Sequence, residues 1–118
     1  MTTYHNRYFR SIANSPNGEV SGDTIFHYRQ EGDVVWATYS GGAIVFGTLI
    51  AKVDAGGGGL DMRYHHLNGD GELMTGQCRS TPTRLPGGRL RLDEVWQWMS
   101  GDMSSGASAV EEIPPPAT

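Results

Sequence analysis

One carboxylate in the C-terminal half of the chain interrupts an otherwise apolar alternation. Between Arg89 and Met99, every second residue belongs to the set Leu90, Leu92, Glu94, Trp96 and Trp98. Residues two apart on a β-strand point to the same face of a sheet. Glu94 is therefore predicted to face the interior. An unpaired ion is costly there, so the carboxyl needs a partner or a proton.

A histidine could complete a site with this carboxyl. In the segment Leu60–Leu67, Met62, Tyr64 and His66 share the face predicted to point inward. A neutral imidazole can do general acid–base work beside a carboxyl whose pKa is raised by desolvation. We therefore identify Glu94 and His66 as candidate catalytic residues, and we expect Glu94 to hydrogen-bond His66, Tyr64 or an inward arginine. The alternative is a purely structural hydrogen bond in the interior.

Aromatic residues give a second functional signal. Apolar side chains with polar tips suit the lining of a ligand pocket. The candidate ligand-binding residues are Tyr28, Trp36, Met62, Tyr64, Trp96 and Trp98. The alternative is that the same rings pack the core of a small protein.

The pattern of possible metal ligands does not predict a metal site. His65 and His66 are adjacent, and adjacent strand residues face opposite sides of a sheet. The run from Asn68 to Glu72 alternates oxygen ligands but lacks the glycine position and the final glutamate of a calcium loop. Cys78 has no motif of a nucleophile and is expected to be a small buried side chain. We predict neither a metal nor a cofactor.

The elements that must position these residues are short strands between glycine-rich turns. Gly beside Asn or Asp supplies the positive φ of tight hairpins, and such pairs recur along the chain. No segment of about ten or more residues has apolar side chains repeating with the period of an α-helix, so we predict no substantial helix. The strands are predicted at Tyr4–Ala13, Thr24–Glu31, Val34–Ser40, Ile44–Val53, Leu60–Leu67, Glu72–Arg84, Arg89–Met99 and Ala107–Ile113.

Short connections between successive strands favour an all-β fold. We predict an antiparallel up-and-down meander of about eight strands that closes into a small lipocalin- or avidin-like barrel. Closure leaves no exposed strand edge, whereas an open sheet or flattened sandwich is the alternative. Residues 1–113 are predicted to form a single barrel domain, and residues 114–118 a flexible, proline-rich tail.

Composition limits the classes of function. The 118 residues, 37% hydrophobic and 19% charged, fit one globular domain. A net charge of −4 argues against nucleic-acid binding, and no apolar run predicts a membrane span or a signal peptide. The single cysteine, Cys78, excludes an internal disulfide and is typical of the cytoplasm. The oligomeric state is left open.

Several segments resemble one family of short, stand-alone bacterial proteins. They are Asn14–Glu19, Phe26–Tyr28, Met62–His66, Gly71–Cys78 and Trp96–Asp102. The resemblance covers nearly the whole chain up to Ile113, and many members carry the automatic label N-acetylglutamate synthase. An acetyl-CoA-dependent synthase of the usual fold has an α/β domain that holds pyrophosphate at a helix N-terminus. The all-β pattern therefore does not predict this acyltransferase activity.

Together these features predict a small, soluble β-barrel that binds a small, partly apolar molecule in its lumen. Two alternatives stay open. The first is a small-barrel enzyme that performs acid–base chemistry with Glu94 and His66. The second is an interaction domain with a filled core. An interior cavity would exclude the filled core, and a need for Glu94 beyond binding would indicate the enzyme.

Overall fold

Eight strands pair in chain order and close into an antiparallel barrel, because β1 also pairs with β8. The computed structural model describes residues 3–56 and 58–116. The strands are β1 (Arg7–Asn14), β2 (Ile25–Glu31), β3 (Val34–Gly41), β4 (Ile44–Val53), β5 (Leu60–Asn68), β6 (Leu73–Arg84), β7 (Leu90–Trp98) and β8 (Ser105–Ile113). Within the described residues, the one helical element is a 3-10 turn at Pro86–Gly88. The predicted all-β meander and its closure into a barrel are confirmed.

Strand boundaries follow the predicted turns closely, and β4 has the predicted ends. The largest difference lies at the start of β1, which begins at Arg7 rather than Tyr4. Asn6 adopts a φ of 57°, a left-handed conformation that interrupts extended backbone. The residues before Asn6 therefore leave the sheet, and Tyr4 turns into the interior, where its side chain is fully buried.

The two ends of the barrel differ. We call one end the mouth; it carries the connections at residues 15–24, 42–43, 69–72 and 99–104. The opposite end, the floor, is closed by Tyr4, whose backbone amide donates to Gln30 Oε1 at 2.7 Å and whose hydroxyl donates to the Gly58 carbonyl. The half of the lumen near the floor is filled by apolar side chains that are at most 2% exposed, namely Phe9, Val35, Leu60, Leu90, Leu92 and Val110.

Three inward-facing glycines lie opposite aromatic residues in the mouth half. The cross-strand pairs are Tyr39 with Gly47, Tyr64 with Gly76 and Trp96 with Gly106. A Cβ added at any of these glycines would lie within 2.5 Å of the facing ring. Each ring thus occupies the space that a side chain on the neighbouring strand would fill. This packing sets the rings against the barrel wall.

The end of the chain has no regular structure over Pro114–Pro116, which are exposed. The last two residues of the predicted tail, and the first two of the predicted domain, lie outside the described residues. The boundary at residue 113 and the flexibility of the tail stay predictions. No helix in the described part of the chain has the length and apolarity needed to cross a membrane.

Candidate functional site

A cavity of about 60 Å³ lies in the mouth half of the lumen. All eight strands contribute lining residues, and so does the β1–β2 connection through residues 18–20. The aromatic part of the lining consists of Phe26, Tyr28, Tyr39, Tyr64, Trp96 and Trp98. Pockets for drug-sized ligands begin at about 300 Å³, so this cavity fits a molecule of only a few heavy atoms unless side chains move.

Glu94 faces this cavity from the middle of β7. Its Oε2 accepts a hydrogen bond from Ser80 Oγ at 2.8 Å, and its Oε1 accepts one from Ser108 Oγ at 3.2 Å. Both serines lie directly opposite Glu94 in the strand register, on β6 and β8. Burial raises the pKa of Glu94, and the hydrogen bonds from the two serines oppose this rise only in part.

The inward orientation of Glu94 agrees with the apolar alternation along β7. The hydrogen-bonding partners predicted for its carboxyl are wrong. Neither His66 nor Tyr64 hydrogen-bonds the carboxyl, and no arginine in the described residues forms an ion pair with it. Small hydroxyls at the facing positions supply the contacts that a larger group was expected to make. Glu94 is therefore a lumen carboxyl held by neutral donors.

His66 belongs to a different hydrogen-bonded group near the mouth. Its side chain is buried on β5, with Nε2 2.8 Å from Glu19 Oε1 and Nδ1 3.0 Å from Tyr39 Oη. Asn68 Nδ2 donates to Glu19 Oε2 at 3.1 Å and so fixes the second carboxylate oxygen. Glu19 comes from the β1–β2 connection, so this group ties the connection to the barrel wall. The structure thus pairs His66 with Glu19, not with Glu94.

Two tryptophans of β7 line the cavity. Trp96 and Trp98 are 6% and 5% exposed, and their ring centroids are 5.5 Å apart. Trp98 Nε1 donates to the Asn17 carbonyl at 3.0 Å, a second link between the barrel and the β1–β2 connection. The ring of Trp98 also lies edge-on to Tyr64, with centroids 5.9 Å apart. Tyr28 and Met62, also predicted as ligand-binding residues, line the same cavity.

Trp36 does not line the lumen, so its predicted place in the ligand pocket is wrong. On β3 the buried alternation is Val35, Ala37 and Tyr39, whereas Trp36 is half-buried on the outer face. The bulk of the tryptophan suggested an inward position, but the small Ala37 takes the inward position between Val35 and Tyr39. Tyr39, which is not among the predicted ligand-binding residues, lines the cavity instead.

The lining contains a buried polar atom without a hydrogen-bond partner within the described residues. The Tyr28 side chain, which also lines the cavity, is 1% exposed, and burial raises its pKa well above the ordinary value. Asn14 Oδ1 is buried and unpaired, although Asn14 Nδ2 donates to the Val20 carbonyl at 2.9 Å. Such groups are rare in native interiors, because each loses the hydrogen bonds that water would give it.

Comparison with known proteins places the whole barrel in one family. Residues 2–113 match the family described as avidin-like protein. The chain belongs to the avidin-like protein family. This avidin-like match spans all eight strands and every residue of the cavity, and it gives no support to the label N-acetylglutamate synthase. No curated protein and no solved structure matches the chain.

Some residues of the candidate site could not be found from alternation. Glu19 lies in an irregular connection, where no periodicity marks which side chains turn inward. The one signal for it was the resemblance carried by the segment Asn14–Glu19, which also contains the unpaired Asn14. No group of three His, Cys, Asp or Glu side chains among the described residues is placed to hold a metal ion.

Proposed function

We propose that this avidin-like barrel binds a small, partly apolar molecule in the mouth half of its lumen. The observation that carries the proposal is a cavity lined by aromatic rings together with a buried polar atom, Asn14 Oδ1, that has no hydrogen-bond partner within the described residues. An unsatisfied buried polar group costs about 1–3 kcal/mol. A ligand that donates a hydrogen bond to Asn14 Oδ1 recovers part of this cost.

The ligand-binding residues in this proposal are those predicted residues that line the cavity, with Tyr39 in place of Trp36. The two tryptophans of β7 and the three tyrosines supply apolar contact area, and Met62 lines the same cavity. The β1–β2 connection covers part of the mouth, because Glu19 and the Asn17 carbonyl anchor it to His66 and Trp98.

A second function, acid–base catalysis, rests on Glu94. Burial raises the pKa of this carboxyl, which favours a protonated form that can donate a proton. His66 is held by Glu19 and Tyr39, so Glu94 would be the single acid or base. If Glu94 is catalytic, Glu94→Gln abolishes turnover and leaves binding intact, whereas a purely binding role changes affinity.

The proposal is tested with a panel of small aromatic and aliphatic fragments, followed by thermal shift and calorimetry. Trp98→Phe changes the lumen wall, and Trp36→Phe is the matched control on the outer face. We expect fragments that bind the wild type to bind Trp98→Phe more weakly and Trp36→Phe equally. Fragments that lose affinity only in Trp36→Phe, or a panel in which none binds, would contradict lumen binding.

We also propose that the protein acts in the bacterial cytoplasm, without a nucleic-acid or membrane partner. Support comes from the net charge of −4 and from Cys78, a free and buried thiol whose pKa is raised by burial. Cell fractionation tests the location. Recovery of the protein in the periplasm or the membrane fraction would refute it.

A further inference from the structure

The charges of the cavity lining select one class of ligand. We propose that the molecule bound in the lumen is a small organic cation, such as an alkylammonium ion, that pairs with Glu94 and lies against the surrounding aromatic rings. This inference rests on the proposed function and specifies its ligand.

The first observation is a carboxyl without a compensating cation. Glu19 and Glu94 are the acidic residues of the lining, and no lysine or arginine lines the cavity within the described residues. His66 is the one lining side chain there that can carry a positive charge, and it lies 2.8 Å from Glu19. Glu94 is left with two serine hydroxyls, which donate hydrogen bonds but carry no charge. A cationic ligand would supply the missing charge.

The second observation is the aromatic surface around this carboxyl. Trp96 follows Glu94 by two residues on the same face of β7, and Tyr28 and Tyr64 lie near enough for the charge of Glu94 to raise their pKa values further, after the effect of burial. The faces of tryptophan and tyrosine rings attract cations, most strongly where water is excluded. An ammonium group in this cavity can therefore contact a carboxylate and ring faces together.

The third observation is that the groups around Glu94 within the described residues are neutral or acidic. Cys78 and Ser80 lie near it on β6, Ser108 on β8, and Tyr28, Tyr39 and Tyr64 on β2, β3 and β5, while Asp93 precedes it on β7. Burial raises the pKa of Glu94 in the free protein, so the carboxyl holds a proton above the ordinary glutamate pKa of 4.5. A bound cation favours the carboxylate. Binding should release this proton from Glu94 to the buffer.

The size of the cavity sets the choice of probes. A volume of about 60 Å³ suits molecules of a few heavy atoms. We choose n-propylammonium as the cation, n-propanol as the neutral molecule of equal length and ethanesulfonate, which stays ionised in acid, as the anion. Affinities are measured by calorimetry in two buffers of different ionisation enthalpy, at a pH just above 4.5, so that the number of released protons is obtained.

We expect n-propylammonium to bind roughly tenfold or more tightly than n-propanol, with proton release, and ethanesulfonate to bind most weakly. Glu94→Gln should remove the preference for the cation and the proton release. Asp93→Asn, which changes the neighbouring carboxylate on the outer face, should retain both.

Equal binding of n-propylammonium and n-propanol to the wild type would overturn the inference while leaving lumen binding intact. A cation preference that survives in Glu94→Gln would also overturn it. If Glu94→Gln does not fold, proton release by the wild type decides: cation binding without release contradicts the role of Glu94. Failure of all three probes overturns the cation proposal, and the fragment panel then decides separately whether the lumen binds any molecule.

Discussion

A methyl group added at Gly76 tests whether the aromatic rings depend on the glycines that face them. In Gly76→Ala, the new Cβ would lie 2.3 Å from Cζ and Oη of Tyr64, where ordinary contacts begin at 3.4 Å. The ring of Tyr64 must therefore move by more than an ångström towards Trp98 and the cavity. Overpacking of this kind costs about 1–3 kcal/mol.

Part of this free-energy cost is offset because alanine gives the unfolded chain less conformational freedom than glycine does. Replacing glycine by alanine stabilises a protein by about 0.4–1 kcal/mol when the native backbone tolerates the change. We expect Gly76→Ala to lose about 1–2 kcal/mol in net terms, measured by urea unfolding. For a domain of this length, that loss lowers the melting temperature by about 3–10 °C. Gly69→Ala is the control, because its Cβ would meet nothing closer than 4.0 Å.

A double-mutant cycle with Tyr64 separates the clash from other effects of alanine. In a Tyr64→Leu background the ring is absent, so Gly76→Ala should be neutral or slightly stabilising. A loss of equal size in both backgrounds would refute the claim that the glycine makes room for the ring. A loss as large in Gly69→Ala would show that any alanine in this barrel is costly.

Three further predictions follow from the contacts of the barrel. Since burial raises the folded-state pKa of Glu94 above 4.5, this carboxyl binds more protons in the folded than in the unfolded state above that pH, and its contribution to stability falls as pH rises. Urea unfolding should therefore show a steeper loss between pH 4.5 and neutrality in the wild type than in Glu94→Gln, and equal slopes would contradict this. Because Trp36 is the half-buried tryptophan, Trp36→Phe should remove most of the fluorescence that iodide quenches, and unchanged quenching would place another indole at the surface. Truncation after Ile113 should change the melting temperature little, because Pro114–Pro116 are exposed outside the sheet, whereas a drop of many degrees would show that the tail is docked.

The fold could be predicted from the sequence because glycine-containing turns mark the connections between strands. Gly41 and Gly42 in one turn and Gly71 in another adopt the positive φ that turn glycines predict. Between them, alternation decides which face is buried, and it places Glu94 and both β7 tryptophans inward. Successive hairpins leave one simple closure, the pairing of β1 with β8.

The site was harder to predict, because it depends on cross-strand register. Ser80 and Ser108 face Glu94 only through the register of two hairpins, and no local sequence signal fixes which residues lie opposite each other. Bulges add shifts of their own, as between Ile44 and Phe46. Glu19 could not be predicted because it lies in the irregular β1–β2 connection. The contact between Glu19 and His66 holds this connection in place.

Lumen binding is tested most directly by the three indole N–H resonances of isotope-labelled protein. Each resonance can be assigned with a single tryptophan-to-phenylalanine variant, and the protein is then titrated with the fragment that binds most tightly. Binding in the lumen predicts that the resonances of Trp96 and Trp98 shift and saturate with a common Kd while that of Trp36 stays in place. A saturable shift of Trp36 alone, or shifts of all three that never saturate, would contradict a binding site inside the barrel.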